Sequence, residues 1–105
     1  MIKQVVVILL GNALKYSNDG GTIAISLKKK DKCILRVRNT GKGIPKTELP
    51  RIFERFYRVD PSRSRDNPGH GLGLAIAKTI VESHKGRIYA ESEVGKWVCF
   101  TVVLP

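Results

Sequence analysis

Acidic residues are scarce in this chain: 9 Asp and Glu face 19 Lys and Arg among 105 residues, a formal net charge of +10. That imbalance points to an anionic partner or ligand, whether nucleic acid, an acidic membrane surface or a phosphate-bearing small molecule. Cysteine is nearly absent. Cys33 and Cys99 lie far apart, with no CxxC pair and no histidine at metal-ligand spacing. A disulfide framework and a zinc site are thereby disfavoured, and reduced, buried thiols are the reading that remains. Long apolar runs are also missing. The longest, residues 5–10, is far short of the roughly 20 that span a bilayer, and no signal-peptide cleavage pattern accompanies it. Internal repeats and low-complexity tracts are lacking too. What is present is 42% hydrophobic and 27% charged residues, the composition of one small soluble domain with a real core.

Periodicity predicts the elements. Residues 2–16 combine a β-branched stretch, Val5, Val6, Val7 and Ile8, with better helix formers and with Leu10 and Leu14 one turn apart. We read one helix, ended by the turn cluster Ser17, Asn18, Asp19, Gly20 and Gly21. Ile23, Ile25 and Leu27 alternate in a strand over 22–27, and Cys33, Leu35 and Val37 alternate in the next. The lysine-rich residues 28–32 between them form a charged hairpin connection. Leu49, Ile52, Phe53 and Phe56 are spaced for a short helix over 47–57, with Pro50 near its start. Residues 58–71 lack apolar periodicity and read as a loop. Leu72, Ile76 and Ile80 predict a helix over 72–83, closed by His84, Lys85 and Gly86 in the pattern of basic residues then glycine. Two last strands, 87–91 and 97–104, complete an α+β fold: a two-layer sandwich whose mostly antiparallel sheet is covered on one face by helices.

Gly69, His70, Gly71, Leu72 and Gly73 run directly into the strongest helix. Glycines allow close backbone approach to a phosphate, and free N–H groups at a helix start attract anions. Neither common phosphate loop fits. Walker A requires a Gly-Lys-Ser/Thr that is absent, and the dinucleotide fingerprint puts Leu74 or Ile76 where its third glycine belongs. Alone, the loop fits a flexible hinge as well as a phosphate cradle.

It has company, however. The segments Asn12-Ala13-Leu14-Lys15-Tyr16, Asn39-Thr40-Gly41-Lys42-Gly43-Ile44-Pro45, Phe53-Glu54-Arg55-Phe56-Tyr57-Arg58 and Gly69-His70-Gly71-Leu72-Gly73-Leu74-Ala75 occur in that order. In this the chain resembles the catalytic, ATP-binding domain of bacterial sensor histidine kinases, whose N, G1, F and G2 boxes these segments match. The resemblance covers nearly the whole chain. It implies the Bergerat ATP-binding sandwich and binding of ATP with Mg²⁺. It also implies donation of the γ-phosphate to a histidine on a separate dimerisation domain, from which a response regulator is served. By the same resemblance residues 1–105 are a single catalytic domain, N-terminally truncated, cytoplasmic, and belonging to a membrane-anchored parent. The family's strand ahead of the first helix is not found here, which implies an unpaired sheet edge open to self-association.

Residue roles follow from the resemblance. Asn12 would ligate Mg²⁺ through its side-chain oxygen, as suits a hard cation; an ordinary polar residue at a helix end is the alternative. Lys15 would meet phosphate and Tyr16 wall the pocket. Asn39 takes the place of the family's Asp, which accepts from the adenine amino group, with Gly41, Gly43 and Ile44 passing beside the base. An Asn capping a turn at a strand end explains Asn39 equally well. Tyr57 and Arg58 belong to the region resembling the ATP lid, with Arg63 and Arg65 behind, and Phe53 and Phe56 anchor it by packing. Gly69, His70, Gly71, Leu72 and Gly73 complete the nucleotide-binding set. His84 reads as structural, and His70 is assigned no chemistry.

Two departures matter. Ile8 occupies the turn before Asn12, where the family commonly has a second polar residue. It can neither bind Mg²⁺ nor act as a base, so hydrolysis by this chain alone is not expected. Asn39 keeps an acceptor but loses the charge. Together they sustain a rival reading, a degenerate nucleotide-binding or protein-interaction module without kinase activity. Nucleic-acid binding rests on charge alone. Residues 28–38 carry Lys28, Lys29, Lys30, Lys32, Arg36 and Arg38 against Asp31, without the interleaved aromatics of a single-strand binder, so no nucleic-acid partner is assigned.

Overall fold

A computed structural model describes residues 2–17, 20–54 and 73–105. Helix α1 (Ile2–Tyr16) is followed by strands β1 (Ile23–Lys29) and β2 (Cys33–Thr40), then by a 3₁₀ turn at Leu49–Arg51. Helix α2 (Gly73–Ser83) precedes strands β3 (Arg87–Glu93) and β4 (Trp97–Leu104). The strands form one sheet in the order β1-β2-β4-β3, every pairing antiparallel. Both helices lie on the same face, giving the predicted two-layer α+β arrangement.

The core sits between the layers. Val5, Leu9 and Ala13 recur one turn apart on α1, and Ala77, Ile80 and Val81 line α2. They bury against Val37 of β2 and Val98, Phe100 and Val102 of β4. Each fully buried aliphatic of this kind contributes about 1.5–3 kcal/mol. α1 packs on β2 and α2 on β3. Those strands are two spacings apart, about 9.6 Å, which matches the 8–10 Å between packed helix axes. Among the described residues the helical layer therefore ends at β2. β1 lies one strand beyond it.

That geometry corrects one expectation. The alternation of Ile23, Ile25 and Leu27 implied a buried face, yet Ile25 is 53% and Leu27 65% exposed, and only Ile23 packs against the core. The thiols are likewise half-buried rather than buried. β1 extends two residues beyond its predicted end and β2 runs to Thr40, so the hairpin connection shrinks to residues 30–32. The helix predicted over 47–57 is, up to Glu54, a single 3₁₀ turn followed by turns. Pro50 lies inside it and has no N–H to continue an α-helical ladder. The carbonyl of Pro45 accepts from Glu48 and Leu49 at 2.8 and 3.3 Å and tightens the segment instead. Residues 55–57 of that prediction lie outside the described residues. Phe53 does pack as an anchor, edge-on to Phe100 with ring centroids 6.2 Å apart.

α2 ends at Ser83 and is closed by His84, Lys85 and Gly86, the left-handed residue being Lys85, with φ 62°. The Gly86 N–H returns to the Val81 carbonyl at 2.9 Å, the outer bond of a Schellman motif. Gly86 is needed for space, because a Cβ there would stand 2.5 Å from the Val103 carbonyl oxygen. His84 Nδ1–H donates to the Ile80 carbonyl at 2.8 Å, in keeping with its structural reading.

Candidate functional site

Ile8, Asn12 and Lys15 fall on one flank of α1, since residues four and three apart share a helical face. This flank faces α2: a Cβ on Gly73 would touch Ile8 Cγ2 at 3.4 Å. Asn12 and Tyr16 are half-buried. The Lys15 ammonium lies 5.6 Å from the Tyr16 ring centroid, a cation–π distance that orients both. Ile8 is thus an apolar contact between the helices and offers no ligand atom.

The end of α1 meets the segment after β2. Ser17 and Gly41 form an isolated backbone bridge, and a Cβ on Gly41 would stand 2.5 Å from the Tyr16 carbonyl oxygen. Glycine at 41 is therefore what lets the two segments approach. Asn39 is buried, and its Nδ2 donates to the Thr40 carbonyl at 3.2 Å. With the donor end of the amide held there, Oδ1 is turned to the other side as an acceptor.

Residues 41–44 are seated on the turn between β3 and β4. Gly41 N–H donates to Lys96 at 3.1 Å, and Gly95 N–H donates to Lys42 at 2.6 Å. Ile44 N–H donates to Ser92 Oγ at 2.7 Å, and Ser92 Oγ donates onward to the Trp97 carbonyl at 2.8 Å. Gly43 adopts φ 75°, and a Cβ there would come within 2.7 Å of the Glu93 carbonyl oxygen. Ser92 was not among the predicted residues. It is a lone hydroxyl in a strand, and only its contact across 48 residues reveals it as the support of this loop.

The structure therefore brings Asn12, Lys15 and Tyr16 to one side and Asn39, Gly41, Gly43 and Ile44 to the adjoining one, with Gly73 against the same helix. Tyr57, Arg58, Gly69, His70, Gly71 and Leu72 lie outside the described residues. A shallow cleft of about 370 Å³ occurs elsewhere, on the sheet face away from the helices, bordered by Arg36, Arg38 and Trp97. It shares no residue with the predicted set. Among the described residues no group of three or more His, Cys, Asp or Glu could hold a metal ion. A Mg²⁺ ion here would rest on the Asn12 oxygen, with phosphate oxygens and water as its other ligands.

This arrangement, an Asn on the helix and a glycine-bearing loop across from it, coincides with a family match over residues 1–105 to histidine kinase-, DNA gyrase B- and HSP90-like ATPases. The chain belongs to this family. It is 47% identical over 95 residues to the probable sensor kinase SilS of Salmonella typhimurium, covering 90% of this chain and 19% of that protein. It is 44% identical over 107 residues to the sensor histidine kinase WalK of Bacillus subtilis, covering 99% and 18%. Among solved structures, the mycobacterial sensor histidine kinase MprB superposes with a TM-score of 0.82 at 36% identity, over 97% of this chain and 70% of that one. Full-length ShkA, solved in complex with AMPPNP, superposes at 0.85 with 27% identity, over 99% and 21%. The chain thus spans about a fifth of the length of these curated relatives. Among the described residues no helix is long and apolar enough to cross a membrane.

Proposed function

We propose that this chain binds ATP with Mg²⁺ between α1 and the 39–44 loop, and presents the γ-phosphate to a histidine on a separate dimerisation domain. The observation that carries the reading is the buried Asn39 amide. Its donor end is tied to Thr40, so its acceptor end suits the amino group of adenine. Gly41 lets this loop close on the end of α1, and Gly43 lets it seat on the turn after β3. Lys15 supplies positive charge for phosphate oxygens, and Asn12 an oxygen for the metal. Mg²⁺, when bound, neutralises charge on the phosphates, and the chain's own contribution is positioning. Tyr57, Arg58, Gly69, His70, Gly71 and Leu72 belong to the proposed set through the family resemblance. Such a domain works in the cytoplasm within a membrane-anchored parent and feeds a response regulator.

Calorimetric titration with ATP, with and without Mg²⁺, tests the binding step. Dissociation constants from tens of micromolar to millimolar, about 4–6 kcal/mol, are the expected range. Phosphotransfer is tested by adding a dimerisation domain that carries its acceptor histidine. Asn12→Ala and Lys15→Ala should abolish labelling of that domain, and His84→Ala should leave it intact. Ile8, packed against Gly73 where the family has a polar group, favours a second reading: a nucleotide-binding module without transfer. ATP binding with no labelled acceptor would select it. Absence of both would reject both readings.

A further inference from the structure

We propose that the sheet face away from the helices docks an extended acidic segment of a partner protein, with Arg36 and Arg38 as its anchors. The proposal is independent of nucleotide binding, and its walls all come from strands β1–β4. Register places Ala24, Arg38, Cys99 and Glu91 side by side across that face, with Ser26 and Arg36 in the next row. Arg36 and Arg38 are both exposed. Two residues apart on one strand, they have Cα atoms about 6.8 Å from each other. The small side chains of Ala24 and Ser26 leave a hollow beside them, the cleft of about 370 Å³. Exposed arginines and a serine are the composition of a solvated sheet face, not of one packed under a further layer.

Among the described residues no carboxylate lies within ion-pair distance of either guanidinium. Arg38 is instead stacked on Trp97, its Cζ 4.7 Å from the ring centroid. The ring is itself held, because Trp97 Nε1 donates to Glu93 Oε2 at 3.2 Å. A stacked guanidinium is oriented in advance, and its planar fork of N–H donors matches a carboxylate.

The same stacking argues for carboxylates over nucleic acid, since Arg38 takes up a ring face on which a base would stack. In an extended segment alternate side chains share a face about 6.8 Å apart, so acidic residues at alternate positions meet Arg36 and Arg38 one to one. Glu91, across Cys99 from Arg38, repels such a segment from the β3 side and confines it to the hollow over β1 and β2. A second copy of this chain is a poor occupant, because it brings its own net charge of +10. Lys28, Lys29, Lys30 and Lys32 extend the positive field beyond the arginines and steer an acidic partner to them. The basic hairpin thereby gains a use that ATP binding does not give it.

Trp97 is the single tryptophan of the chain, so its fluorescence reports on this cleft. A short capped peptide of alternating glutamate and threonine should shift the emission with a Kd on the order of 0.1–1 mM at low salt. At about 0.5 M salt the binding should be largely lost, and the peptide with glutamine for glutamate should not bind. Arg36→Gln combined with Arg38→Gln should weaken binding about tenfold or more, read by NMR shifts at Ser26 and Cys99 because Trp97 loses its stacked neighbour. Lys3→Gln combined with Lys78→Gln removes the same charge from exposed positions on the two helices and should change affinity by less than about twofold. Saturating ATP with Mg²⁺ should leave the peptide affinity unaltered, since the two sites lie on opposite faces of the sheet. Absence of binding at millimolar peptide overturns the proposal. Equal losses in the two double variants, displacement by ATP, or tighter binding of an oligothymidylate of the same charge would each do so too.

Discussion

Replacing Asn39 with Asp changes one atom group at the centre of the proposed base site and separates its two roles. In the free chain the Asn39 Nδ2 donates to the Thr40 carbonyl at 3.2 Å within a buried setting. A carboxylate cannot donate, so that bond, worth about 1 kcal/mol, is lost. The charge must also be buried beside a carbonyl oxygen, adding about 1–2 kcal/mol. The variant should therefore be about 2–3 kcal/mol less stable at neutral pH. Burial raises the new carboxyl above its ordinary range of about 4, so the folded state retains its proton longer than the unfolded chain. Its deficit is thus smallest below about pH 4 and grows as pH rises through the folded value. For the nucleotide the sign reverses. A charged acceptor for the adenine amino group should add on the order of 1 kcal/mol, about fivefold in affinity. A guanine nucleotide, which presents a carbonyl at that place, should gain less. Urea unfolding followed by Trp97 fluorescence over pH 4–8, with calorimetry of ATP and GTP, measures both effects. Unchanged stability together with equal gains for both nucleotides would refute the orientation assigned to Asn39.

Ser92→Ala removes the acceptor of the Ile44 N–H and the donor to the Trp97 carbonyl. It should cost about 1–3 kcal/mol, with faster amide exchange at Ile44 and weaker ATP binding, all readable by NMR; an unaltered Ile44 exchange rate would remove Ser92 as the loop's support. Gly41→Ala drives a Cβ into the Tyr16 carbonyl oxygen. A loss on the order of 1–3 kcal/mol and displaced resonances at both Tyr16 and Gly41 should follow, and a silent spectrum at Tyr16 would contradict the close approach. Lys85→Gly relieves the left-handed backbone at φ 62°. Strain of about 1–2 kcal/mol set against the entropy of glycine leaves a gain of about 0.5–1 kcal/mol, checked by the urea midpoint; a lower midpoint would refute the cap assignment.

Sequence alone determined what depends on near neighbours. Leu10 and Leu14 one turn apart, followed by a turn cluster, set a helix whose observed span, Ile2–Tyr16, is the predicted one, although the face it buries is that of Val5, Leu9 and Ala13. The last strand, Trp97–Leu104, also falls where alternation and turn residues put it. The ordered motifs named the family for the same reason, since each box is a short local pattern around a backbone need. Tertiary structure decided which patterns are used. Ile25 and Leu27 alternate as faithfully as Val98, Phe100 and Val102, yet remain exposed because, among the described residues, the helical layer ends over β2. Ser92 supports the 41–44 loop, and Ile8 meets Gly73, through contacts between residues far apart in the chain. Local spacing carries no record of such pairs. They exist only once the sheet order has set β4 beside β2 and the turn after β3 beneath the loop.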